Sequence, residues 1–136
     1  MDLQEFIINY REAFGSKAQL PLLFGYSHEP IANTEKIGGC FFKGLQAARE
    51  GTLVSLSVDV IGCGGGKLYT GFADMPERVP GFVSLKEKYK KTPEMVADYV
   101  NRLGMKLTEK PYLNFIRIDK AESFESVEGI FFYATP

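Results

Sequence analysis

The sequence predicts an α+β fold with a mixed, largely antiparallel sheet and helices packed mainly on one face. Three observations carry that reading. Residues 53–61 alternate apolar and polar side chains at a period of two, so one strand face is buried and the other wet. A strand in a doubly covered parallel sheet would be apolar on both faces. The element order reads α-β-α-β-α-α-β-β, and the last two strands stand too close in sequence for a helical crossover, which favours an antiparallel pair.

Residues 1–14 read as an amphipathic helix, because Leu3, Phe6, Ile7, Tyr10 and Phe14 recur at three- and four-residue steps. Asp2 and Glu5 suit its positive N-terminal end, Arg11 suits the other end, and Gly15 stops it. Residues 20–26 form a short apolar run, read as a strand. A polar loop over 27–36 contains Pro30, and a helix over 37–50 ends at Gly51. In the 53–61 strand, Val54, Leu56, Val58 and Val60 share one face; Ser55, Ser57 and Asp59 share the other. A glycine cluster at 62–66 precedes a short helix over 67–72, and Pro76, Pro80 and Gly81 mark an irregular loop.

Ser84-Leu85-Lys86-Glu87 fits a capping box that opens a basic helix to about residue 90. Thr92-Pro93 supplies the cap and first position of the next helix, whose apolar face is Val96, Tyr99, Val100 and Leu103; Gly104 ends it. Residues 112–118 and 130–134 are the remaining strands. The last of them leaves the sheet edge uncovered, an edge that invites pairing with a second copy, so a homo-oligomer is expected.

The 136 residues suit a single domain over 1–136. With 45% hydrophobic and 24% charged residues the composition is that of a soluble globular chain, not a disordered or fibrous one. A net charge of −1 gives no electrostatic footprint for nucleic acid or an anionic membrane, so neither is expected as a partner. The acidic start is unlike a signal or transit peptide, and no apolar run approaches the roughly 20 residues that span a bilayer. Two cysteines make no disulfide framework, and both thiols are expected free in a reducing, cytoplasmic setting.

Gly62-Cys63-Gly64-Gly65-Gly66-Lys67 is the stretch with chemical potential. A glycine cluster at a strand's end can turn backbone N–H groups toward an anion, with a helix N-terminus behind it and Lys67 as countercharge. Neither standard phosphate motif fits. A dinucleotide fingerprint needs glycine where Lys67 stands; a Walker A motif needs glycine at Ile61 and Ser or Thr at Leu68. The competing reading is that the glycines only permit a tight turn. Cys40 and Cys63 are far apart in sequence, but if the helix after residue 37 runs back along the sheet, both fall at one sheet edge near helix N-termini. There the thiolate is favoured. Burial as inert small apolar residues is the alternative. His28, the sole histidine, would reach the same edge, and Cys40, Cys63 and His28 would make three of four zinc ligands, although without a recognisable spacing. A solvated loop histidine is the plainer alternative. The basic run Lys86, Lys88, Lys90 and Lys91 reads as a solvated face, and no catalytic motif is present that would make this chain an enzyme of known class.

Three stretches together resemble a known family: Cys40 with Ala47-Ala48-Arg49-Glu50-Gly51, then Gly62-Cys63-Gly64-Gly65, and the closing Ile130-Phe131-Phe132-Tyr133-Ala134-Thr135-Pro136. The pattern resembles the bacterial and archaeal family catalogued only as domain of unknown function 169, and Val83-Ser84-Leu85-Lys86-Glu87-Lys88-Tyr89 is similar to it too. The resemblance covers the chain from about Leu20 and implies no reaction or cofactor. It makes both cysteine positions part of a pattern. It also implies a longer family domain, of which this chain is a truncated form or a half-unit that pairs with another copy. Three functions follow, in this order: a small anionic ligand- or cofactor-binding domain using the glycine-rich turn; a thiol-redox or metal-binding protein using Cys40 and Cys63; an oligomeric interaction protein without a small-molecule site. In the first, the polar face Ser55, Ser57 and Asp59 lines the pocket.

Overall fold

The computed structural model describes residues 2–32 and 40–133. The chain divides into two compact units, one made of residues 1–62 and 110–136 and the other of residues 63–109.

In the first, the sheet unit, helix α1 spans Leu3–Phe14. Asp2 caps it, its Oδ1 accepting the Glu5 N–H at 2.8 Å, and Gly15 releases the chain at φ +93°. Leu3, Ile7 and Tyr10 are buried with Leu20, Leu23 and Ile118, the face that the sequence spacing selects. The Tyr10 hydroxyl donates to the Gln19 carbonyl at 2.9 Å, so the ring is buried without stranding its polar end.

The sheet contains β1 (Leu22–Ser27), β2 (Val54–Leu56), β3 (Tyr112–Arg117) and β4 (Gly129–Phe131). Their order is β2-β3-β1-β4, and every pairing is antiparallel, as the α+β reading requires. The register aligns Leu23 with Ile116 and Ile130 on the face that α1 covers. Leu22, Phe24, Phe115, Val54 and Leu56 lie on the opposite face. Helix α2 (Phe42–Arg49) packs on β2 and β3 there, and Phe41 meets Phe115 edge-on at 5.9 Å. Thus α1 and α2 take opposite faces, where the sequence reading put the helices mainly on one.

The strand expected over 53–61 is only three residues long. Residues 57–61 form a turn in which the Val60 and Ile61 N–H groups both donate to the Ser57 carbonyl. The register explains the stop: continued past Leu56↔Leu113, it would set Val58 against Pro111, which has no N–H to give. Ser55 is the second correction. It is buried, and its hydroxyl donates to Asn114 Oδ1 at 2.7 Å while accepting the Ile31 and Ala32 N–H groups. Asn114 Nδ2 in turn donates to Ser27 Oγ at 2.7 Å. Ser55 is internal wiring, while Ser57 is half-buried and Asp59 exposed in the turn that follows the strand. Of the helix expected over 37–50, the described part begins at Phe42, and residues 37–39 lie outside the described residues, as does residue 134 of the last expected strand.

The helical unit holds α3 (Gly64–Tyr69), α4 (Arg78–Gly81) and α5 (Pro93–Arg102), with a π-helical turn over Phe82–Lys86 continuing α4. Thr92 caps α5 as expected, its Oγ1 accepting the Met95 N–H, and Val96 and Val100 are buried. The loop expected at Pro76–Gly81 is partly helical because Pro80 falls in the first turn of α4, where no N–H is needed. The capping box at Ser84 fails for the same reason. The helix is already running, so Ser84 is an interior, buried residue.

Candidate functional site

The glycine cluster is a helix start rather than a loose turn. Cys63 is extended at φ −97° and ψ 134°, and Gly64, Gly65 and Gly66 form the first turn of α3. Cys63 is the N-cap: its Sγ accepts the Gly66 N–H at 3.3 Å. Thr70 Oγ1 donates back to the Gly66 carbonyl at 2.6 Å, and the Lys67 N–H closes onto the Cys63 carbonyl at 3.1 Å. Lys67 is half-buried and belongs to the same turn. Gly62, the last residue of the sheet unit's first segment, precedes the cap.

None of Gly64, Gly65 and Gly66 has a positive φ. A side chain at Gly65 would meet nothing within 4 Å, and one at Gly64 would touch Pro76 only at an ordinary 3.5 Å. Neither backbone conformation nor packing demands glycine at these two positions. In a helix each glycine costs about 1 kcal/mol against alanine.

The other candidates distribute as follows. Neither cysteine is in a disulfide; Cys63 is half-buried and Cys40 is exposed. Cys40 precedes α2, and its carbonyl accepts the Lys43 N–H; it is not inside the helix as the sequence reading had it, since Phe41 holds the cap position. His28 is exposed in the loop after β1. Cys40 and His28 belong to the sheet unit and Cys63 to the helical unit. Among the described residues no three His, Cys, Asp or Glu side chains gather in a metal-binding group.

Sequence reasoning missed a set of arginines in the sheet unit. Arg11, Gln19, Arg49, Arg117 and Asp119 line a cavity of about 300 Å³. Arg117 Nε and Nη2 donate to the two carboxylate oxygens of Asp119 at 2.6 and 2.9 Å, and Nη1 donates to the Arg49 carbonyl at 3.1 Å. This fork holds the Asp119 carboxyl below the usual carboxylate range and raises the Arg117 guanidinium further. Gly51 sits at φ +98° beneath that guanidinium, where a Cβ would come within 3.1 Å of Nη2. The Arg-x-Gly spacing of Arg49 and Gly51 was the available signal; that Arg117 is their partner is a matter of sheet register.

The family model of DUF169, described as uncharacterised ArCR, matches residues 23–136. No curated protein and no solved structure matches the chain.

Proposed function

The chain belongs to the DUF169 family, and on that premise we propose that it binds a small anionic ligand or cofactor at the glycine turn, through Gly62, Cys63, Gly64, Gly65, Gly66 and Lys67. One observation carries this reading: the helix start spends glycines at Gly64 and Gly65, where the fold has no need of them. What the missing side chains leave open is access to backbone N–H groups at the positive end of α3, with Lys67 as countercharge. Titration of isotope-labelled protein with inorganic phosphate, followed at the Gly64 and Gly65 amides, tests it. Lys67→Ala should weaken the response several-fold, and Gly65→Val should abolish it by blocking the approach. Equal affinity in all three proteins removes the proposal.

A second reading, thiol chemistry at Cys63, is favoured by the Sγ contact to Gly66 N–H, since a backbone donor at a helix start stabilises a thiolate. Cys63 should then be alkylated by iodoacetamide at pH 7, and an unreactive Cys63 excludes it. The third reading, a homo-oligomer, is supported by β4 as an edge strand with exposed Phe131 and Phe132. Sedimentation of a monomer at high micromolar concentration would exclude it. A cytoplasmic location is the setting these readings assume. Among the described residues no helix is long and apolar enough to cross a membrane.

A further inference from the structure

We propose that the sheet unit carries a second binding site, formed around Arg11, Arg49 and Arg117, for a small phosphomonoester attached to a flat apolar group. The charge count of the cavity points to a dianion. Asp119 is the one carboxylate lining it, and both of its oxygens are engaged by Arg117. Arg11 and Arg49 make no ion pair among the described residues. Two uncompensated guanidiniums around a concave surface match the charge of a phosphomonoester, about −1.5 to −2 at pH 7, and their planar forks match its oxygens.

The site is built rather than incidental. Arg49 lies with its guanidinium 4.6 Å from the centre of the Tyr133 ring, which fixes its direction without neutralising it. Its backbone carbonyl is gripped by Arg117, whose own position depends on Asp119 and on the space left by Gly51. Arg49 is thereby held at both its backbone carbonyl and its guanidinium before any ligand arrives.

The apolar half comes from an adjoining cavity of about 460 Å³, which shares Gln19 and Arg49 with the first. Phe42, Leu45 and Tyr133 line it, together with Gln46 and Glu50. Gln46 Nε2 donates to Glu50 Oε1 at 3.3 Å, a neutral donor that orients this carboxylate and leaves its negative charge on the apolar side of the site. A flat group on the Phe42–Tyr133 side would leave its phosphate on the arginine side. Arg11 comes from α1, ahead of residues 23–136, so the site joins the family-matched part to the helix that precedes it.

Calorimetric titration of the whole chain with phenyl phosphate, inorganic phosphate and benzoate at low salt tests the proposal. Phenyl phosphate should bind at least tenfold more tightly than either of the others. Arg11→Gln and Arg49→Gln should each weaken it tenfold or more with an unchanged circular dichroism spectrum, and Arg102→Gln, an exposed control, should not. Arg11→Gln keeps the test decisive if Arg49→Gln loosens the packing on Tyr133. Unchanged affinity in Arg11→Gln overturns the proposal, as does inorganic phosphate or benzoate binding as tightly as phenyl phosphate. If phenyl phosphate shifts the Gly64 and Gly65 amides while the Arg11 and Arg49 Nε resonances stay still, this site is refuted and the glycine turn supported.

Discussion

In the sheet unit the buried Ser55 and Asn114 are hydrogen-bonded to each other across neighbouring strands, and Asn114 passes the network on to Ser27. In the helical unit the buried Ser84 hydroxyl has no hydrogen-bond partner among the described residues, while the buried Thr70 hydroxyl donates to the Gly66 and Lys67 carbonyls of its own helix. The contrast follows from how each architecture presents partners. A strand register sets two side chains distant in sequence directly opposite one another, close enough to bond. A helix offers a hydroxyl mainly the carbonyls three or four residues back, and inside the π-helical turn Ser84 bonds none of them. The buried Ser55–Asn114 pair therefore stabilises the sheet unit, and the buried Ser84 hydroxyl is a stored cost in the helical unit.

The largest test of that contrast is Asn114→Ala. It leaves the buried Ser55 hydroxyl without its strand partner, so stability to urea should fall by about 2–3 kcal/mol. Combined with Ser55→Ala the losses should be strongly non-additive; additive losses would mean that the two groups do not act as one network. Ser84→Ala should do the opposite and stabilise by about 1 kcal/mol, because it deletes a desolvated group that gains nothing in return. A loss of stability there would break the comparison.

Gly65→Ala is next in size. With open space above it and no positive φ, alanine should stabilise the protein by about 0.5–1 kcal/mol in thermal melts. A destabilised variant would show that the fold does need that glycine, and would take away the main support for a ligand there. The smallest effects are in pH. Asp119, lowered first by its hydrogen bond from Arg117, contributes stability that is present above about pH 4 and lost as pH falls through its folded value. The pair is partly exposed, so the loss should be near half a kcal/mol, about what screening leaves, and absent in Asp119→Asn. Tyr26, raised first by burial and then by the Glu128 carboxylate, is held neutral by the fold. Its contribution is present below about pH 10 and lost as pH rises through its folded value, a limb that Tyr26→Phe should remove.

Much of this protein was legible in its residues alone. The three- and four-residue spacing of Leu3, Ile7 and Tyr10 named a buried face, Thr92 named a helix start, and the resemblance of the glycine and arginine stretches named the family. These are local properties: a cap, a period or a glycine acts on neighbours within a turn. What the tertiary structure alone decided is whatever depends on register. Pro111 ends β2 because it would stand opposite Val58, Ser55 turns inward because Asn114 stands opposite it, and Arg117 is seated on Gly51 and the Arg49 carbonyl from a distant strand. A strand's sequence says which side chains share a face but not which residues face them across the ladder. Each hydrogen bond that gives these polar groups a role is made across that gap.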